Sequence, residues 1–310
     1  MTFNHTSVML KEAVEAIMTN PNGIYIDCTL GGGGHSRKLA ENLSTEGLII
    51  GIDQDEEAIK AASEKLSDVS CQIKIIHSNF RYIDKILEEN AIDKVDGVLF
   101  DLGVSSHQID TAERGFSYMH DAPLDMRMDR EQKFTAFNVL NEYDENHLSK
   151  IFHEYGEERF ARRIASEIVK SRKNQMIKTT GELVKLIERA VPSSAKKAGH
   201  PAKRVFQAIR IEVNNELDIL SDTVAAAVKH LKIGGRIAVI TFHSLEDRII
   251  KNKFKELASD CICPKNFPVC TCNHKAEIKI IGKTLTASEK EITNNSRSKS
   301  AKLRVAEKIL

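Results

Sequence analysis

Four glycines in a row, Gly31-Gly32-Gly33-Gly34, follow the β-branched and aromatic run Ile24-Tyr25-Ile26-Asp27-Cys28. Glycines let a backbone approach a ligand closely, and a helix opening behind them offers free N–H groups to a carboxylate or phosphate. A second apolar run, Leu48–Ile52, closes on Asp53, 20 residues after Gly33. An acid in that place can accept both ribose hydroxyls of an adenosine. A third run ends near Asn79-Phe80, where an amide and an aromatic ring could hold an adenine edge and face. A fourth ends at Asp101-Leu102-Gly103-Val104-Ser105-Ser106, the loop expected to face the reacting group, since ligands of open α/β sheets sit at the carboxyl ends of the strands. A later run ends at His243-Ser244-Leu245-Glu246-Asp247-Arg248, placing His243 on the same rim as a base, a substrate contact or a structural hydrogen-bonding residue.

Two ligand classes use such an arrangement. A dinucleotide fingerprint needs G-x-G-x-x-G, and counting from Gly31, Gly32 or Gly33 puts Ser36, Arg37 or Lys38 at the last glycine. No Gly-Lys-Ser/Thr follows the glycines, which excludes a P-loop. S-adenosylmethionine needs no pyrophosphate cradle, only an open turn with acids near the ribose and the sulfonium, and it is the ligand this pattern favours. The alternatives are a nicotinamide-dependent oxidoreductase, a non-catalytic RNA-binding or ribosome-assembly module, and a glycine turn that serves chain geometry alone.

The elements that would position these residues alternate. Helices are expected over 8–18, 35–43, 56–66 and 82–90, and strands over 23–28, 48–52, 73–76 and 95–100. A strand–helix repeat of about 25 residues argues for a parallel sheet covered on both faces. The rhythm then stops: residues 105 to about 210 contain almost no strand-like run, and 155–173, 180–191 and 204–230 read as helices. Gly234-Gly235 is expected to end a helix before a strand over 236–242, and 303–305 to close the sheet. The expected organisation is an α/β domain from residues 1–106 and 211–310, with a helical domain, 107–210, inserted.

Composition bounds the rest. With 41% hydrophobic and 29% charged residues the chain reads as globular, and no apolar run approaches the ~18 residues a membrane span needs. No basic stretch leads into an apolar core near residue 1, so no signal peptide is expected. Six cysteines in 310 residues are too sparse for a disulfide scaffold and suit a reducing, cytoplasmic setting. Cys28 and Cys71 read as small buried hydrophobes. Cys261-Ile262-Cys263 and Cys270-Thr271-Cys272 form two C-x-C pairs; free thiols in a loop and tetrahedral zinc both fit, and no metal ligand is assigned from spacing alone.

The net charge of +1 conceals unlike parts. Residues 156–215 hold 14 Lys+Arg against 6 Asp+Glu, and residues 274–310 hold 9 against 4, so the remainder of the chain is acidic. Phe160 and Phe206 punctuate the basic insert, as phosphate contacts with occasional base stacking would require.

Together these segments resemble the ribosomal RNA small subunit methyltransferase H family, also called MraW. The resemblance runs from His5-Thr6-Ser7-Val8-Met9-Leu10 through Gly33-Gly34-His35, Asp101–Ser106, Glu113-Arg114-Gly115-Phe116-Ser117 and Pro123–Asp129. It continues through Tyr155–Phe160, His200–Ala208 and His243–Arg248 to Ser300–Glu307. It implies a Rossmann-like class I S-adenosylmethionine-dependent methyltransferase sheet with an inserted all-helical RNA-recognition domain. It implies methylation of N4 of a cytidine in the decoding region of small-subunit rRNA, free or in the assembled subunit. A monomer and a homodimer are both compatible with the sequence. The family's cofactor contacts fall on Gly33, Gly34, His35, Asp53, Phe80, Asp101 and Gln108, with His35 and Gln108 coming from the resemblance alone. Asp101 is the candidate for orienting the target amine. Candidate RNA contacts are Arg159, Arg162, Lys203, Arg204, Phe206, Arg210 and His243.

Overall fold

The computed structural model describes residues 7–195, 199–264 and 269–310; His5 and Thr6 lie outside the described residues. Two compact units emerge: one holds the chain up to Gly103 and from Leu217 onward, the other is Val104–Glu216.

Seven strands form one sheet: β1 (Ile24–Asp27), β2 (Leu48–Asp53), β3 (Gln72–His77), β4 (Val95–Asp101), β5 (Leu231–Thr241), β6 (Ile278–Thr286) and β7 (Lys302–Lys308). Helices α1 (Leu10–Ile17), α2 (Gly34–Ala40), α3 (Glu56–Lys65) and α4 (Ile83–Glu89) alternate with the first four strands. The second unit carries α5 (Ser106–Asp110), α6 (Ala136–Glu142), α7 (Glu145–Glu154), α8 (Ala161–Arg172), α9 (Thr180–Ala190) and α10 (Ala202–Asn214). The chain then returns through α11 (Leu220–His230), α12 (Ser244–Leu257) and α13 (Glu289–Asn294). Among the described residues no helix is long and apolar enough to cross a membrane.

The strand order is β3-β2-β1-β4-β5-β7-β6. The first five are parallel, and β7 runs antiparallel between β5 and β6. Parallel neighbours need crossovers, which the intervening helices supply. Strands β1, β2 and β4 are buried almost end to end, as a sheet covered on both faces demands. On one face Tyr25, Ile49, Leu99, Ala238, Ile240 and Leu303 join Val14 and Ile17 of α1 and Leu39 of α2. Their strand neighbours Ile26, Ile50, Val98, Phe100, Ile237 and Val239 are equally buried and point to the opposite face by alternation. There α11 packs against α4 and α12. Of the edge strands, β3 is half-exposed and β6 mostly exposed, and β6 carries a register break between Ile281 and Leu285 that blunts it for further pairing.

The structure revises three expectations. The helix expected over 204–230 is two helices, because Asn215 turns left-handed (φ 49°, ψ 46°) and ends α10. Gly234 and Gly235 do not end a helix; the helix stops at His230, and both glycines lie inside β5, where its pairing with β4 shifts register. Strand β6, with Lys279, Gly282 and Lys283 among its apolar residues, carried too little pattern to be singled out.

Within the helical unit the quoted segment Pro123–Asp129 is held by a partly buried polar clamp. Asn214, at the end of α10, accepts from the Met128 N–H (2.7 Å) and donates to the Met126 and Arg210 carbonyls (2.8 Å each). The buried Arg114 guanidinium donates to the Arg127 and Met128 carbonyls, at 3.0 and 3.2 Å. Arg127 in turn grips Asp125 with two 2.8 Å hydrogen bonds.

Candidate functional site

The sheet reverses its winding between β1 and β4, and a crevice opens at the carboxyl ends of strands on either side of such a switch. Asp27 ends β1, Asp53 ends β2 and Asp101 ends β4, so three acids stand side by side on this edge.

Each acid is held by local chain geometry. Asp27 is fully buried, accepts from the Ser36 hydroxyl at 2.7 Å and from the Thr29 N–H at 3.2 Å, and forms a side-chain turn across two residues. Burial outweighs these donors and raises its carboxyl to about 6. Asp53 accepts from Gly31 N–H (2.7 Å) and Asp55 N–H (2.9 Å), pinning the glycine turn to β2. Desolvation, seconded by the Asp55 and Asp27 charges, lifts it to about 6 as well. The Asp101 N–H donates to the Thr29 hydroxyl at 2.6 Å. Its carboxyl is pushed well above the usual range, first by burial and then by the charges of Asp27 and Glu246. Asp101 Oδ2 lies 3.6 Å from His35 Nδ1. Its Oδ1 is buried and, among the described residues, has no hydrogen-bond partner. The His35 ring is itself buried, with Nε2 3.1 Å from the Val8 carbonyl; that neighbour only accepts, so Nε2 carries a proton.

The glycines serve two ends. Gly33 is left-handed (φ 73°) and turns the chain into α2. A side chain on Gly34 would collide with the Ser7 hydroxyl, so its bareness accommodates this chain's own N-terminal segment. Phe80 opens a short 3₁₀ turn, half-buried and perpendicular to Phe100 at 5.6 Å. The neighbouring amide is engaged within the protein: Asn79 accepts from Arg81 N–H (3.0 Å) and donates to Gln54 Oε1 (2.7 Å). These bonds cap the turn, and the amide oxygen and nitrogen each keep capacity for one further hydrogen bond. Gln108 belongs to the helical unit, where it is buried and closes a capping box with Ser105 at the start of α5.

His243 caps α12. Its ring accepts from the Glu246 N–H, its Nε2 lies 3.0 Å from Glu246 Oε1, and its side chain is only 11% exposed. The candidate RNA contacts of the helical unit divide sharply. Arg159, Arg162, Lys203 and Arg204 are exposed. The first two flank the start of α8 and the last two lie in the first turn of α10, and these segments are stitched together. Gln207 donates to the Tyr155 carbonyl at 2.9 Å, and Arg204 to the Glu157 carbonyl at 3.4 Å. Arg210 is bound twice to Glu216, at 2.8 and 2.9 Å. Phe206 is 4% exposed, part of the unit's hydrophobic core and edge-on to Tyr118. Its expected role as a stacking platform is corrected: the apolar stripe of α10 claims it.

The MraW methylase family profile matches residues 2–309. The chain belongs to the MraW methylase family. It is 56% identical over 311 residues to the ribosomal RNA small subunit methyltransferase H of Clostridioides difficile (strain 630), covering 100% of both chains. It is 56% identical over 310 residues, again 100% of both, to the protein of that name from Clostridium botulinum (strain Loch Maree / Type A3). Among solved structures, an rRNA methylase from Streptococcus thermophilus is matched over 97% of this chain and 94% of that one, at 10% identity and a TM-score of 0.44, too loose to bear on function.

Within this MraW-family chain, Thr29, Ser36 and Glu246 border the acid row although the sequence assigned them no role there. Thr29 had a readable signal: a hydroxyl two residues after a strand-ending Asp invites a local turn. Ser36 and Glu246 depend on tertiary placement and had none.

Proposed function

We propose that this protein transfers the methyl group of S-adenosylmethionine to N4 of a cytidine in the decoding region of small-subunit (16S) rRNA. The observation that carries the cofactor assignment is the Asp101 carboxyl, buried with one oxygen unpartnered among the described residues and standing in a desolvated row with Asp27, Asp53 and Glu246. Such a row suits a ligand that brings positive charge and disfavours the doubly anionic pyrophosphate of a dinucleotide. S-adenosylmethionine brings a sulfonium and an ammonium, and when bound it supplies an electrophilic methyl. Asp53 would accept from the ribose hydroxyls and Phe80 would cover the base. Gly33, Gly34, His35 and Gln108 complete the set that the family pattern indicates.

Transfer to an exocyclic amine needs one in-line displacement: the N–C bond forms as the S–C bond breaks, positive charge passes from sulfur to nitrogen, and the amine then gives up a proton. Asp101 would orient the amine by accepting from it, and alignment would supply most of the acceleration. Carbon-5 methylation would call for a cysteine nucleophile, and residues 101–106 contain none.

The rRNA assignment rests on family membership and on the exposed cations Arg159, Arg162, Lys203 and Arg204. They lie at the starts of two long helices, where the helix dipoles also favour phosphate. Arg210 and Phe206 are engaged within the unit, which leaves these four as the exposed candidates of the helical unit, beside His243 of the α/β unit. A ribosomal substrate places the work in the cytoplasm. The test uses methyl-labelled S-adenosylmethionine and small ribosomal subunits from cells lacking this enzyme. Label should pass to those subunits and not to subunits from cells that contain it; no transfer to either would overturn the proposal.

A further inference from the structure

Between α12 and β6 the chain runs through some twenty residues with no regular element among those described. Its base is closed: Glu277 N–H donates to the Leu257 carbonyl (2.8 Å), Ala276 N–H to Asp260 (3.3 Å), and His274 Nε2 lies 3.1 Å from the Glu256 carbonyl. Two of its large apolar residues face solvent, Ile262 at 53% and Val269 at 71% exposed. A connection of this length whose described residues form neither a core nor secondary structure is unusual in a compact unit and needs another source of order.

Four sulfurs occupy its centre. Cys261, Cys263, Cys270 and Cys272 are free thiols, and their Sγ atoms all lie within 4.8 Å of one another. The Cys270–Cys272 separation is 3.6 Å and Cys272–Cys261 is 3.8 Å. A tetrahedral ion with metal–sulfur bonds of about 2.3 Å separates its ligand sulfurs by about 3.8 Å. A disulfide would bring two of them to about 2.05 Å.

The backbone supports the same arrangement with a reciprocal pattern. The middle residue of each pair sends its N–H to the second cysteine of the other: Thr271 to Cys263 (3.5 Å) and Ile262 to Cys272. Two more N–H groups, of Cys263 and His274, are directed at Cys261 and Cys272. Amide donors around sulfur stabilise thiolate character and fix the direction of its remaining lone pairs, the support that ligand atoms of a metal centre need. Four thiolates this close would repel one another without a cation among them.

The geometry points to a structural zinc site formed by Cys261, Cys263, Cys270 and Cys272. Four protein sulfurs close the coordination sphere and leave no position for water or substrate, so the ion orders this loop and takes no part in methyl transfer. The spacing C-x-C, tighter than the common C-x-x-C, is accommodated because each pair contributes one edge of the tetrahedron and the reciprocal amide bonds set the pairs against each other.

The experiment uses full-length protein purified anaerobically with reductant and dialysed into metal-free buffer. Mass-spectrometric metal analysis should find one zinc per chain, released when the thiols are titrated with a mercurial. Cobalt substituted for zinc should give the visible and near-ultraviolet bands of a tetrahedral tetrathiolate. The variant Cys270→Ser should retain less than about a tenth of the zinc while S-adenosylmethionine affinity, read by calorimetry, reports that the α/β unit is still folded. Zinc below about 0.1 per chain in the wild-type protein, with all four thiols freely reactive, would overturn the assignment whatever the variant does. So would recovery of the four cysteines as two disulfides under the same conditions.

Discussion

Asp27 and Asp53 are acids that the fold holds against their own ionisation. Burial raises Asp27 from 3.8 to about 6, so the folded state binds its proton more tightly than the unfolded chain does. The contribution to stability is therefore full below pH 4 and is lost as pH rises through about 6. Asp27→Asn removes that dependence. In urea denaturation, wild type should lose about 2 kcal/mol relative to the variant between pH 4 and pH 7, the larger part of a shift of roughly two pKa units at 1.36 kcal/mol each. A difference that does not change with pH would contradict the burial argument. At Asp53 the expectation concerns binding. Asp53→Ala removes the acceptor proposed for the ribose and frees the Gly31 amide that positions the glycine turn. Calorimetry should show S-adenosylmethionine affinity falling by roughly tenfold to a hundredfold, as expected for a hydrogen bond to a charged group. An unchanged dissociation constant would remove Asp53 from the site. The positions of these acids were legible because each ends an apolar run. The unpartnered oxygen of Asp101 was not, since it depends on which neighbours the fold withholds.

At the scale of elements, Asn214 joins the end of α10 to the Met126–Met128 turn through two hydrogen bonds and is braced by a third to the Arg210 carbonyl of its own helix. Asn214→Ala leaves an N–H and two carbonyls without that partner. It should cost about 3 kcal/mol in urea unfolding at neutral pH; less than about 1 kcal/mol would mean the clamp is not what secures the segment. The sequence located Pro123–Asp129 as a distinctive string but could not say why, because its polar groups find their partners some 86 residues away. The strands β1, β2 and β4 were plain from continuous apolar runs, the signal a doubly covered sheet leaves. Strand β6 was hidden by its edge position, which exposes lysines and breaks the alternation. The long helix expected over 204–230 failed at Asn215, a residue whose tolerance of the left-handed conformation is used only where the tertiary structure asks for it.

For the whole molecule, the near-zero net charge resolves into an acidic edge on the α/β unit and a basic face on the helical unit. The exposed arginines and lysine at the starts of α8 and α10 are proposed to meet phosphate, whereas Arg210 answers Glu216 and Phe206 serves the core. Charge totals carried the first fact, and only the structure could separate cations in ion pairs from cations facing solvent. Arg204→Glu should therefore reduce methyl transfer to small subunits by roughly tenfold or more at low salt, with a deficit that narrows as salt rises, and leave S-adenosylmethionine affinity within about twofold. Equal losses in both would argue against an RNA role for that face. The central claim, an amine-directed methyl transfer to rRNA, is tested most directly by the identity of the product. Small subunits from cells lacking the enzyme are treated with this protein and S-adenosylmethionine carrying a deuterated methyl group, and the rRNA is digested to nucleosides for mass spectrometry. The deuterated methyl should appear in N4-methylcytidine from the decoding region; its appearance in 5-methylcytidine, or in no cytidine, would contradict the account.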